Sequence, residues 1–181
     1  MRISPASTLL CVIDVQERLL AVLPDAARVV SRVARLAEAA RILDVRSLLT
    51  EQYPKGLGPT PSSLLSLLPP AVTKMTFSVC GVPAAEAALE KAVTVVLCGL
   101  ETHVCVSQTA LDLLAAGRTV FVAVDAVAAR HQLDHDVALR RLEGAGAILT
   151  TSEAILFEWC RTADHPRFQD VRKLVLERPA G

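Results

Sequence analysis

Three residues of this chain have types and settings that could together carry out nucleophilic chemistry. They are Asp14 in Val12-Ile13-Asp14-Val15-Gln16, Lys74 in Val72-Thr73-Lys74-Met75-Thr76-Phe77-Ser78, and Cys105 in Cys98-Gly99-Leu100-Glu101-Thr102-His103-Val104-Cys105-Val106. A thiol that attacks a carbonyl needs a base to take its proton, and an aspartate shielded from water can do so. A cation beside both groups orients the carboxylate and favours the thiolate. The tetrahedral intermediate needs N–H donors aimed at its oxyanion, and the turn from Gly99 to Cys105 can supply them. Taken singly, each residue has a plainer account. Asp14 could cap a strand-to-helix turn, Lys74 could be a solvated surface charge, and Cys105 could be a small core hydrophobe.

What favours the joint reading is the elements that carry the three residues. Leu9 to Val15, Val93 to Cys98 and Thr119 to Val124 are continuous apolar, largely β-branched runs, the mark of strands buried on both faces of a parallel sheet. Weaker strand candidates are Val45 to Leu49, Ala71 to Lys74 and Ala147 to Thr150. Between them lie helical patterns over Asp25 to Leu43, Pro83 to Lys91, His103 to Ala116 and Asp134 to Glu143, with two more from Thr151 through Trp159 and over Arg167 to Leu176. The alternation predicts a three-layer, Rossmann-like α/β fold, a doubly wound six-stranded parallel sheet with helices on both faces. No linker divides the chain, so 1–181 is expected to form a single domain. Sites in such folds lie beyond the carboxyl ends of strands, where Asp14, Lys74 and Cys105 all fall. Cys105 then sits in the first turn of a helix, where the dipole and free N–H groups would stabilise a thiolate. The Pro-, Gly- and Ser-rich stretch from Glu51 to Leu68 reads as a loop that walls or covers the site.

Composition narrows the possible partners. The chain has 181 residues, 52% of them hydrophobic, with 19 Lys+Arg balancing 19 Asp+Glu and only 3% aromatics. That argues for a packed globule and against a nucleic-acid or anionic-membrane surface. No apolar run reaches the roughly 18 residues that span a bilayer. The chain meets a strand-like run directly after Met1-Arg2-Ile3-Ser4-Pro5, which leaves no room for a secretory leader and predicts a cytoplasmic protein. The five cysteines, at 11, 80, 98, 105 and 160, are odd in number, widely spaced and free of any CxxC, so neither a disulfide framework nor a zinc ribbon is expected. No GxGxxG follows the first strand, which disfavours a nucleotide-binding oxidoreductase.

The three quoted segments, in their order and spacing, resemble the signatures of the isochorismatase-like cysteine hydrolase family, over about residues 7 to 160. The resemblance implies the six-stranded fold, a catalytic triad of Asp14, Lys74 and Cys105, and a cis peptide bond between Leu100 and Glu101. It also implies an oxyanion hole from the backbone N–H groups of Glu101 and Cys105. Nicotinamidase-like members bind a metal through an Asp-x-His set and further histidines after the second strand. Here Thr50-Glu51-Gln52-Tyr53-Pro54-Lys55-Gly56-Leu57-Gly58 has neither His nor Asp, so no metal and no other cofactor is expected. That stretch instead resembles the branch of isochorismatase domain-containing proteins. The family is commonly oligomeric, so a homo-oligomer is expected.

The activity this implies is hydrolysis of a C–N amide bond of a small molecule through a thioester. Two alternatives stay open on the same fold: a silent binding or scaffold protein, and a thiol sensor in which Cys98 or Cys80 resolves an oxidised Cys105. Gln16, Phe77 and His103 are candidate pocket residues. Gln16 would hold Asp14 or the substrate, Phe77 would wall the pocket or join the core, and His103 would line the mouth. His103 is not expected to pair with Cys105, since residues two apart on a helix point to different sides. His131 and His135 are expected in a solvated helix-cap region rather than on a metal. Trp159 with Phe157 is expected to pack on the sheet or to reach a neighbouring subunit.

Overall fold

The computed structural model describes residues 2–176; residue 1 and residues 177–181, the ends of the expected domain, lie outside the described residues. Six strands form one all-parallel sheet in the order β3-β2-β1-β4-β5-β6. They are β1 (Thr8–Ile13), β2 (Arg46–Gln52), β3 (Val72–Lys74), β4 (Thr94–Leu100), β5 (Thr119–Ala128) and β6 (Ile148–Thr150). Every residue of β1 and β4 is buried, as expected for central strands covered on both faces.

Alternation along β1 divides the core in two. Leu10 and Val12 face α2 (Ala26–Ile42), α8 (Ser152–Cys160) and α9 (Phe168–Leu176). Leu9, Cys11 and Ile13 face α5 (Pro83–Glu90), α6 (Ser107–Ala115) and α7 (Gln132–Gly144). The α2 pattern works as read: Val29, Val33, Leu36 and Ala40 are all fully buried. Each such large side chain contributes about 1.5–3 kcal/mol of transfer free energy. Trp159 packs into the α2 side of the core, whereas Phe157 stays partly exposed. The helix after β1 lies on one face and the helix after β4 on the other, so the adjacent pair β1 and β4 is the switch point where α/β sheets open a crevice.

Four features differ from the expectation. The stretch from Glu51 to Leu68 is not a plain loop: β2 runs on to Gln52, and α3 (Pro54–Leu57) and α4 (Ser62–Leu65) follow. The Glu51 carboxylate holds it by accepting from the Thr60 N–H at 2.7 Å. A short helix, α1 (Glu17–Leu20), also follows β1. Finally, the helix expected from His103 starts as a π-helical turn, Thr102–Val106, before α6 begins at Ser107. β5 is also longer than read: Leu97 pairs with Val122 but Gly99 pairs with Val127, so β5 carries extra residues at this register shift before Leu100 meets Ala128. Gly99 has φ 116°, and a Cβ there would collide with the Ile13 backbone, so the close approach of β1 and β4 requires glycine.

Candidate functional site

Strand register brings the chemistry together. Ile13 lies opposite Thr50 on one side and Gly99 on the other, and Gln52 lies opposite Lys74. Asp14, just past β1, takes φ 50°, a left-handed conformation that Asp tolerates better than most residues. Its N–H donates to the Thr50 carbonyl at 3.2 Å, which fixes the turn.

The Asp14 and Lys74 side chains are fully buried and paired, with Lys74 Nζ 2.6 Å from Asp14 Oδ2. Asp14 Oδ1 accepts from the Thr50 hydroxyl at 2.7 Å. Lys74 Nζ also donates to Gln52 Oε1 at 2.9 Å and to the carbonyls of Phe77 at 2.9 Å and Thr76 at 3.2 Å. That gives four acceptors for three ammonium hydrogens, so the buried charge is fully compensated.

Cys105, in the π-helical turn, is 6% exposed. Its Sγ lies 3.8 Å from Gln52 Oε1, and the Asp14 carboxylate, the Lys74 ammonium and the backbone N–H of Glu101 are near enough to act on the thiol. Burial above all, then the Asp14 charge, pushes the thiol up to about 12, against smaller lowering by Lys74 and the Glu101 N–H. Cys105 therefore rests as a thiol. The stabilised thiolate expected from its place at a helix start is overruled by desolvation.

The Leu100–Glu101 peptide bond is cis. The Glu101 side chain turns away from the sulfur: its Oε1 accepts from Arg130 Nε at 2.9 Å, and its Oε2 lies 3.4 Å from His103 Nδ1. His103 faces Glu101 and Asp134 and lines a cavity of about 250 Å³ with Ser107, Leu133 and Val137. Gln16 ties down the end of β2 rather than Asp14. Its Oε1 accepts from Gln52 N–H at 2.8 Å, and its Nε2 donates to the carbonyls of Gln52 at 3.1 Å and Gly58 at 2.6 Å. The Phe77 side chain is 50% exposed, so it is not core. With Met75 and Tyr53 it leaves apolar surface on the segments that follow β2 and β3.

His131 precedes α7 and is exposed as expected. His135 is half-buried, with its Nδ1 2.9 Å from the Thr102 hydroxyl. Among the described residues no group of three or more His, Cys, Asp or Glu is arranged to hold a metal ion. The other four cysteines are free, three of them buried and Cys80 intermediate.

Sequence reasoning passed over Thr50, Gln52 and Arg130. The signal for the first two was present: Leu48, Thr50 and Gln52 fall on one face of β2 by its two-residue period, so the polar pair continues a buried apolar face.

The sheet order and the carboxylate, ammonium and thiol at its carboxyl edge define a three-layer α/β protein of the isochorismatase-like kind. The isochorismatase domain matches residues 8–154, and the chain belongs to that family. Mouse isochorismatase domain-containing protein 2A is 43% identical over 179 residues, 97% of this chain and 86% of its own. The structure of the MAR1 ribonuclease from Caenorhabditis elegans superposes with a TM-score of 0.95 at 43% identity, covering 99% of this chain and 95% of that one. A cysteine hydrolase from Pseudomonas syringae pv. phaseolicola shares the fold, with a TM-score of 0.73 at 18% identity over 87% of this chain and 94% of that one.

Proposed function

We propose that the chain is a cysteine hydrolase that cleaves a C–N amide bond of a small molecule, acting as one domain, without metal or cofactor, in a cytoplasmic homo-oligomer. The observation that carries the reading is the buried Lys74–Asp14 ion pair at the carboxyl edge of the sheet, joined to the Cys105 thiol through Gln52 Oε1, with the Asp14 charge acting on that thiol.

As Sγ of Cys105 attacks the carbonyl carbon, Asp14 takes the thiol proton. Lys74 stays charged and keeps the carboxylate facing the sulfur. The oxyanion is held by the backbone N–H groups of Glu101 and Cys105. Asp14 passes its proton to the departing amine as the C–N bond breaks, leaving a thioester. Asp14 then takes a proton from water, whose oxygen attacks the thioester, and returns it to the sulfur as the acid leaves.

The test is a panel of small primary amides, with ammonia release and trapped acyl-enzyme mass as readouts, for wild type and Cys105→Ala. Ammonia release and an acyl adduct on Cys105 in wild type alone support the scheme, and equal release by both proteins ends it. The worm relative is described as a ribonuclease, so an RNA oligonucleotide belongs in the panel. Lys74 is buried against four acceptors and offers no free charge to a phosphate, so the RNA is expected to stay intact. Cleavage abolished by Cys105→Ala would favour the nucleolytic reading instead. Light scattering that finds a monomer would remove the homo-oligomer.

A further inference from the structure

We propose that Gln52 is a positioning residue of this site: its side-chain carbonyl joins the Lys74 ammonium to the Cys105 thiol, and its neutrality sets the state of the sulfur. The inference rests on the reading of Cys105 as nucleophile.

Gln52 lies at the end of β2, between Asp14 on β1 and Lys74 on β3, and is 8% exposed. Its orientation admits one assignment. Lys74 Nζ only donates, so the atom 2.9 Å away is the Gln52 carbonyl oxygen, and the Gln52 amide NH2 group then donates to the Met75 carbonyl at 2.8 Å. The backbone is fixed as firmly, because Gln16 accepts from its N–H and donates to its carbonyl. Each polar atom of Gln52 already has a protein partner. That fits a residue acting through its neighbours rather than one reserved for substrate.

The carbonyl oxygen has two lone pairs and two neighbours, the Lys74 ammonium at 2.9 Å and the Cys105 sulfur at 3.8 Å. An amide here holds the ammonium without drawing it off Asp14, and it offers the thiol proton a neutral acceptor beside the carboxylate. A carboxylate in its place would compete with Asp14 for Lys74 and stand as a second negative charge against the sulfur. An apolar side chain would remove a dipole whose negative end faces the sulfur and free the ammonium to interact with it. The two substitutions should therefore move Cys105 in opposite directions, whereas loss of a merely structural residue would move it the same way in both.

The experiment is alkylation of Cys105 by acrylamide at pH 8, followed by peptide mass spectrometry, in wild type, Gln52→Glu and Gln52→Met. Cys80 alkylation and thermal unfolding verify the fold. A like charge this close raises a pKa by about one to three units. Because thiolates grow more nucleophilic as their pKa rises, the rate changes by roughly half that on a logarithmic scale. Gln52→Glu is thus expected to react about three- to thirtyfold more slowly than wild type, and Gln52→Met faster than wild type. Rates at the wild-type value, or shifts of the same sign in both variants, overturn the proposal. If Gln52→Glu fails to fold, the sign in Gln52→Met decides: a faster rate supports the proposal, an unchanged or slower one ends it. Asp14→Asn run alongside separates the two readings. If it leaves Cys105 unchanged, the Asp14–Cys105 pairing of the proposed function fails. If it shifts Cys105 while the Gln52 variants do not, only the role of Gln52 fails.

Discussion

Asp14→Asn should make Cys105 more reactive and the enzyme less active. The substitution keeps the shape of the side chain. The asparagine carbonyl can still accept from Lys74, and its amide can donate to Thr50, so the buried contacts survive. What disappears is the negative charge that, after burial, does most to hold the Cys105 thiol up at about 12. With the thiol near 12, roughly one molecule in ten thousand carries a thiolate at pH 8. Losing a neighbouring like charge while keeping a cation lowers a pKa by about one to three units. That raises the thiolate fraction about ten- to a thousandfold, but each thiolate attacks more weakly, with a Brønsted coefficient of about 0.4–0.5. The net expectation is acrylamide alkylation of Cys105 about three- to thirtyfold faster at pH 8. Turnover of any amide found in the panel should move the other way, down by about 10²–10⁴, because the base that takes the thiol proton is gone. The assay is site-mapped alkylation beside ammonia release on the same preparations. Slower alkylation would mean that Asp14 draws the proton off during that reaction too, and the electrostatic account would be refuted. Unchanged alkylation would mean that carboxylate and sulfur do not interact.

Other perturbations test the frame around the site. Lys74→Met leaves the Asp14 carboxylate buried without its cation and should cost about 3–5 kcal/mol in urea unfolding. Gly99→Ala forces a side chain into a left-handed backbone, at about 1–3 kcal/mol, and into the Ile13 backbone as well. It should lower the melting temperature more than Gly117→Ala, where the same kind of conformation meets open space. Stability should also fall in alkali. Burial raises Cys11, Cys98 and Cys105 above the ordinary value of 9.0, so below pH 9 both the folded and the unfolded thiols are protonated and the contribution is whole. As pH climbs from 9 toward 12 the unfolded chain ionises first, and stability is lost. Thermal unfolding across that range checks it, and Cys98→Ala should flatten the decline. A melting temperature that is constant from pH 8 to 11 would contradict the burial of these thiols.

How much of this could be read from the sequence depends on the range of the interactions. β1 and β4 were legible because burial on both faces leaves an unbroken apolar run, and Asp14 was legible because it interrupts one. That Asp14, Lys74 and Cys105 gather at one edge of the sheet was legible from the rule that sites lie at the carboxyl ends of strands. Gln52 was not, because its role lies in contacts 22 and 53 residues away, and a polar residue at a strand end looks the same whether solvated or buried. The helices α3 and α4, four residues each, are too short for any hydrophobic period to appear. The contacts of His103 with Glu101 and Asp134 were not legible either, because they depend on the π-helical turn and on α7 packing beside it. The state of the thiol was misread for a related reason. Position at a helix start is local and favours the thiolate, while desolvation is a property of the packed whole and favours the thiol. The difference has a mechanistic consequence. Asp14 and Lys74 neutralise each other, so the resting site holds no charge to spare for a free thiolate. In the proposed reaction, proton transfer from Cys105 must then accompany attack on the bound carbonyl rather than precede it. In that scheme a substrate that fits speeds the sulfur's reaction, while small electrophiles reach only the slow background that the alkylation assay reads.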